Sequence, residues 1–272
     1  LELPGNVSSQ FISAMLMIGP VLTNGLELKL TGDIVSRPYI DLTLWTMREF
    51  GAEADWDDID TIVVKPKPYS KQDYLIESDW SAASYWYEIL AMSSGRNDRV
   101  VLEGLMDGSK QGDSAVRYIF SLLSVKTKFA TKTPGIPTSA SLHCMGRAVP
   151  RLDYDFINQP DLAQTFVVCC AVMGIPFRFT GLKSLKIKET DRIVALISEM
   201  RKLGYVIRDS EDSVLEWDGE RCETVEPIVI DTYEDHRMAL AFAPIAFRVG
   251  DIYINNPQVV SKSYPHFRED LK

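Results

Sequence analysis

Four times along the chain a short polar start leads into a run of helical length that is apolar nearly all round, and a glycine closes it. The copies are SSQFISAMLMIGPVLTNG from Ser8, SAASYWYEILAMSSG from Ser81, PDLAQTFVVCCAVMG from Pro160 and DHRMALAFAPIAFRVG from Asp235. A helix without a polar face has no stable place at a surface, so each copy is expected to be enclosed on every side. Ser, Asp and Pro-Asp at the starts are suited to capping, which fixes where each helix begins. A strand-like stretch follows each copy: LELKLTG, RVVLEGL, PFRFTGL and DIYINNP.

After the first three copies comes a second, amphipathic helix, in RPYIDLTLWTMREFG, GDSAVRYIFSLLSV and TDRIVALISEMRKLG. Short strands come next, TIVVKP in the first copy, VLEWD and PIVID in the third. The predicted unit is strand–helix–strand–helix–strand–strand, about 70 to 80 residues long. Three copies end near Glu77, Tyr154 and Asp231; the fourth, from Thr232, reaches Lys272 before its closing strands. LELPGNVSSQ opens the chain inside a unit, so that unit's first strand is expected upstream of Leu1 and an N-terminal segment is expected to be missing. A purely structural solenoid would also repeat, but here the polar residues at the helix starts differ sharply between copies.

The 272 residues, 46% hydrophobic and 25% charged, suffice for one large or two modest globular domains. A net charge of -9 argues against a generic nucleic-acid or anionic-membrane binder. Cys144, Cys169, Cys170 and Cys222 lack metal-type spacing and read as buried free thiols in a reducing compartment. No signal peptide opens the chain, and no apolar run reaches the roughly 18 residues of a membrane span. A cytoplasmic protein is expected.

The helix starts carry the chemistry. Ser8, Ser9 and Gln10, then Ser81 and Ser84, then Asp161, then Asp235, His236 and Arg237 open the four apolar helices. If the units pack in parallel, these N-termini face one surface, where free N–H groups and dipole ends suit an anion. The stretch KIKETDR adds Lys186, Lys188, Glu189, Asp191 and Arg192 to the approach and first turn of an amphipathic helix. The helix dipole accounts for its acids but not for its cations. Arg237, in the first turn of an apolar helix, needs an anionic partner, either a ligand or an internal carboxylate such as Glu234 or Asp235. Lys262 adds a cation just before a proline.

LPGNVSSQFISAMLM, RPYIDLT, SAASY, QGD, PDLAQT, KETDRI, EDHRMALAFA and SKSYPHF, in that order from Leu3 to Phe267, resemble the enolpyruvyl transferases, and the shikimate branch more than the UDP-N-acetylglucosamine branch. The resemblance implies an α/β fold, an inside-out α/β barrel of repeated βαβαββ units in two globes, the first only partly present. Residues 1–77 would be the C-terminal unit of the N-terminal globe. Residues 78–272 would be the C-terminal globe, with two complete repeats and one truncated repeat. It also implies that an upstream Lys-Ser…Arg motif and a Gly-rich segment are absent, so the chain alone is expected to be inactive.

The implied reaction transfers the enolpyruvyl group of phosphoenolpyruvate to the 5-hydroxyl of shikimate 3-phosphate, with release of phosphate, on the way to the aromatic amino acids. No cofactor and no metal are implied, and the complete protein would be a monomer that binds these small molecules and neither nucleic acid nor membrane. By the same resemblance, Ser8, Ser9 and Ser36 hold the shikimate phosphate, Gln10 lies between the substrates, and Asp161 and Lys188 grip the ring hydroxyls. Asp161 is then the base, with a helix cap as its alternative. Arg192 and Arg237 clamp the phosphoenolpyruvate carboxylate, and Lys262 lies near its phosphate. Glu189 is either the acid serving the methylene carbon or a helix-dipole partner. His236 is a second-layer or a structural histidine, and Ser184 stands where many relatives have asparagine. The rivals are the UDP-N-acetylglucosamine enzyme and a catalytically dead scaffold of the same fold.

Overall fold

The computed structural model describes residues 1–93, 98–131, 133–211 and 213–272. The chain divides into two compact units, residues 1–76 with 109–112, and residues 77–108 with 113–272.

In the first unit, strand β1 (Glu2–Pro4) leads to helix α1 (Ser9–Ile18), β2 (Leu26–Thr31), α2 (Arg37–Glu49), β3 (Ala54–Trp56) and β4 (Thr61–Val64). The sheet order is β1-β2-β4-β3, with β1 parallel to β2 and the remaining pairs antiparallel. The first strand of this unit is therefore Glu2–Pro4 itself, not a segment upstream of Leu1. Three residues ending in proline carry too little alternation to read as a strand. Leu28 and Leu30 of β2 join Ile12 and Leu16 of α1 and Ile40, Leu44 and Met47 of α2 in one core. Helix α1 is not enclosed all round: Phe11 is 68% exposed, and Met17 and Ile18 are exposed with it. The unit offers α1 a sheet and one neighbouring helix, which cover a single stripe.

The larger unit contains α3 (Trp80–Met92), β5 (Arg99–Leu105), α4 (Val116–Leu122), β6 (Val125–Phe129) and β7 (Thr138–Cys144). Next come β8 (Leu152–Asp155), α5 (Ala163–Met173), β9 (Phe177–Thr180), α6 (Arg192–Lys202), β10 (Arg208–Ser210) and β11 (Val214–Trp217). The chain ends with β12 (Val229–Ile230), α7 (His236–Phe242), α8 (Ala246–Val249), β13 (Tyr253–Ile254) and α9 (Phe267–Asp270). The sheet β8-β9-β11-β10 repeats the order of the first unit, again with its first two strands parallel. The sheet β5-β7-β6 has the last three positions and, among the described residues, no first strand; the Ser78 N–H bonds the Gly104 carbonyl (2.8 Å) on that side.

PIVID, read as closing the third copy, pairs instead with β13 in parallel and opens the fourth. A two-residue strand has no period, so only its partner reveals which unit it serves. The fourth apolar helix is also shorter than expected. Pro244 cannot donate to a helical ladder, and a 3-10 turn (Ala243–Ile245) splits the run into α7 and α8. Phe247 of α8 is exposed. The expected glycine stop of α3, Gly95, lies outside the described residues.

Helices α3 and α5 behave as their sequences require. Ala163–Ala171 of α5 are all buried, and α5 packs between α3 and α7. Gly174, at φ +74°, ends α5 in the left-handed conformation that glycine adopts without strain. One polar group is misplaced in this core. Glu88 of α3 is fully buried, and neither carboxyl oxygen finds a hydrogen-bond partner among the described residues. Burial pushes its carboxyl well above the usual range, which favours the protonated form in the folded chain. Glu88→Met is expected to stabilise the protein by about 1–3 kcal/mol, the cost of an unsatisfied buried polar group. The unfolded chain ionises Glu88 above its ordinary pKa of 4.5 while the folded chain keeps the proton, so this residue lowers stability as pH rises past that value. Urea midpoints at pH 5 and pH 8 check both points. A less stable Glu88→Met protein, or one with the same pH slope, contradicts this account.

Candidate active site

Three parallel strand pairs deliver the polar helix starts. In each pair a chain leaving the carboxyl end of the first strand turns into an apolar helix, and one leaving the second turns into the next helix or a 3-10 turn. Polar groups at the carboxyl ends of parallel strands are where α/β folds collect ligands. β1 and β2 lead to Ser8–Gln10 and Ser36; β8 and β9 to Asp161 and to Lys188–Arg192; β12 and β13 to Asp235–Arg237 and to Lys262.

In the first unit, Ser8 caps α1, its hydroxyl accepting the Gln10 N–H at 3.4 Å. Ser9 is half-buried and Gln10 exposed. Ser36 precedes α2 at φ 58°, is buried, and makes no capping bond. Gly5 lets the loop before Ser36 approach β1, because a Cβ there would lie 2.8 Å from the Asp33 carbonyl oxygen. Neutral hydroxyls at a helix start suit a phosphate.

The larger unit brings Asp161, Lys188, Glu189, Arg192, Arg237 and Lys262 into one ionic cluster. Asp161 is not a cap. Its Oδ1 accepts from Arg192 Nη1 at 3.0 Å and lies 3.5 Å from Lys188 Nζ; its Oδ2 accepts from Arg237 Nη2 at 3.1 Å. Burial pushes the carboxyl up, but Arg237, Lys188 and Arg192 together outweigh it and hold Asp161 well below the usual carboxylate range. Glu189 lies outside the helix, whose cap is Asp191, so the dipole reading fails for it. It accepts from Arg192 Nη2 at 2.8 Å and from Lys262. Burial opposes, but these cations lower its pKa to about 2.

Arg192 is 1% exposed, and its Nε and Nη2 grip Asp235 at 2.6 and 3.2 Å. Gln164 completes the surround, its carboxamide turned so that the oxygen accepts from Arg192 Nη1 (3.2 Å) and Nε (3.1 Å). The Nη1 edge is shared between Asp161 and Gln164, so each nitrogen of this guanidinium meets a protein acceptor. For Arg237 neither internal partner named from the sequence takes the guanidinium: Asp235 accepts its backbone N–H (2.8 Å), and the side chain reaches Asp161. Tyr85 of α3 lies near Arg237, and burial pushes its phenol up to about 12. Lys186 turns away from this cluster toward Asp209, at 3.7 Å.

His236 is buried and its Nδ1 makes no hydrogen bond among the described residues, lying 3.8 Å from Asp235 Oδ1; burial and Arg237 lower its pKa. The Ser184 hydroxyl is buried and likewise unpartnered. Among the described residues no cluster is arranged to hold a metal.

Sequence reading placed Asp235 at a helix start and offered it as a partner of Arg237, not of Arg192, and it missed Gln164 and Tyr85 beside the arginines. A glutamine inside an otherwise apolar helix and an aspartate directly before His-Arg were the available signals. Just before Asp235 the backbone takes two consecutive left-handed residues, Tyr233 (φ 53°) and Glu234 (φ 59°). Each costs a non-glycine residue about 1–3 kcal/mol, so the surroundings must hold them there.

A family model described as EPSP synthase (3-phosphoshikimate 1-carboxyvinyltransferase) matches residues 1–271. The chain is 57% identical over 272 residues to a 3-phosphoshikimate 1-carboxyvinyltransferase of Bacteroides fragilis, covering 100% of this chain and 64% of that relative. It is 34% identical over 277 residues to one of Methanospirillum hungatei, covering 98% of this chain and 60% of that relative. An EPSP synthase structure from Acinetobacter baumannii superposes with a TM-score of 0.75 at 20% identity, over 99% of this chain and 60% of that one. The enolpyruvyl transferase NikO of Streptomyces tendae gives 0.62 at 17% identity, over 94% of this chain and 57% of that one. These neighbours share its α/β fold, and among the described residues the sheets are open, with no closed barrel.

Proposed function

We propose, for a chain that belongs to the EPSP synthase family, that it supplies most of the active site of a 3-phosphoshikimate 1-carboxyvinyltransferase. The chain spans 64% of the length of the Bacteroides fragilis relative it matches, and the catalytic unit is proposed to be the complete enzyme, monomeric and cytoplasmic. Residues 1–77 belong to its N-terminal globe and residues 78–272 to its C-terminal globe. Four free cysteines fit a reducing compartment.

One observation carries the reading: a half-buried carboxylate, Asp161, shared by Arg192, Arg237 and Lys188. Two anionic substrates need cations, and a hydroxyl nucleophile needs a base. In the unliganded site the same cations depress Asp161 as a base. When the phosphoenolpyruvate carboxylate takes up Arg237 and the Nη1 edge of Arg192, Asp161 loses that compensation and burial raises its proton affinity. Asp161 then accepts the proton of the 5-hydroxyl as its oxygen adds to the enol carbon. The methylene carbon gains a proton in this addition and becomes a methyl group, and it loses one as the C–O bond to phosphate breaks. Glu189 serves this proton transfer and Lys262 the departing phosphate, while Ser8, Ser9, Gln10, Ser36 and Lys188 hold shikimate 3-phosphate. Elimination of phosphate from the tetrahedral adduct completes the transfer.

Phosphate release by the complete enzyme from phosphoenolpyruvate and shikimate 3-phosphate, with UDP-N-acetylglucosamine as the competing acceptor, tests the assignment. Arg237→Lys is expected to remove about 2–4 kcal/mol of transition-state stabilisation and to raise the KM of phosphoenolpyruvate far more than that of the acceptor. Turnover with the nucleotide sugar alone refutes the acceptor, and equal losses for both substrates refute the role of Arg237.

A further inference from the structure

Glu199 stands seven residues beyond Arg192 on α6, two helical turns along the same face. Both side chains hold the single segment 231–235. Arg192 takes the Asp235 carboxylate, and Glu199 takes what lies before it: Oε2 accepts the Asp231 N–H at 3.0 Å and Oε1 accepts the Tyr233 hydroxyl at 2.7 Å. Glu199 is fully buried. Lys202 balances its charge at 2.7 Å and bonds Asp231 and the Val229 carbonyl as well, and Asn255 holds the other oxygen of Asp231 at 2.7 Å. The Asp235 N–H closes the turn on the Thr232 carbonyl at 2.8 Å. Between these anchors lie the two left-handed residues, and Glu234, whose side chain is exposed, makes no side-chain hydrogen bond or ion pair among the described residues.

We infer that Glu199 is a positioning residue. It holds the turn 231–234 in its left-handed form through Tyr233 and Asp231, and that turn sets Asp235, which both fixes the guanidinium of Arg192 and caps α7 by accepting the Arg237 N–H. Glu199 touches none of the residues assigned to substrate, so its effect passes through the turn. The bearing of this device on catalysis rests on the reading of the two arginines given above; the device itself does not.

Tyr233→Phe deletes one hydroxyl and leaves the rest of the turn. In the full chain, hydrogen exchange of the Arg192 Nε–H, followed by nitrogen-15 NMR without substrate, is expected to quicken at least about tenfold, as for a contact that opens locally. Adding Glu234→Gly should return it to near the wild-type rate, because glycine takes the left-handed conformation without strain. Glu234→Gly alone should leave it unchanged. Unchanged exchange in Tyr233→Phe, or a loss that glycine does not restore, overturns the inference. If Tyr233→Phe fails to fold, the double variant decides: a folded protein with Arg192 protected supports the inference, and an unfolded or unprotected one overturns it. Phosphoenolpyruvate titration of the complete wild-type enzyme separates the two readings, since failure to bind removes the substrate assignment and leaves the exchange result standing.

Discussion

Arg192→Met is expected to lower the unfolding free energy by about 3–5 kcal/mol, the range for breaking a buried ion pair from one side. Arg192 is 1% exposed and Asp235 is fully buried, so methionine would leave Asp235 charged, desolvated and short of its bidentate partner. Asp161 and Glu189 would each lose a bond from the same guanidinium. Asp235 also caps α7, which keeps it from turning to solvent. Combining Arg192→Met with Asp235→Asn should recover a large part of the loss, because asparagine can still cap and carries no charge to strand. Urea denaturation of the three proteins measures this. A loss below about 1 kcal/mol for Arg192→Met would mean that the ion pair is worth no more than an exposed one.

Asp161→Asn is expected to lower kcat of the complete enzyme by about 10²–10⁴, the usual contribution of a general base. The same change should tighten the binding of phosphoenolpyruvate. A carboxylate that accepts from Arg192 and Arg237 and faces Lys188 competes with the ligand for those cations, and an amide competes far less. A variant that is slower yet binds its anion better is a signature that loss of fold cannot imitate. Pre-steady-state binding and single-turnover rates separate the two parameters. Weaker binding of phosphoenolpyruvate would show that Asp161 organises the arginines more than it opposes the ligand.

The helix starts were legible because capping chemistry is local: Asp191 and Asp235 cap their helices, and Asp161, which caps nothing, still lies in the turn that opens α5. The counterions were not legible, since Arg192 meets Asp235 from 43 residues away and Lys262 meets Glu189 from 73. Enclosure was overread for α1, where apolar residues on every side find partners on one face only among the described residues. The Pro244 break was in plain view in the sequence, and a run of apolar residues masked it. Val229–Ile230 was recognised as a strand, yet its membership of a sheet depended on a partner 24 residues further on.

Because three carboxylates sit among four cations, the cluster has a single net positive charge inside a chain of net charge -9. Such a site projects little field beyond a Debye length of roughly 8 Å at physiological ionic strength. Diffusing anions are therefore not drawn in from afar, and capture proceeds at the unsteered rate of about 10⁵–10⁶ M⁻¹s⁻¹, with little dependence on salt. Discrimination comes after arrival: an incoming anion stays only if its shape lets it displace Asp161 from the arginines faster than it drifts away. The internal carboxylates act as a threshold on residence time, one that small inorganic anions in the surroundings would rarely pass.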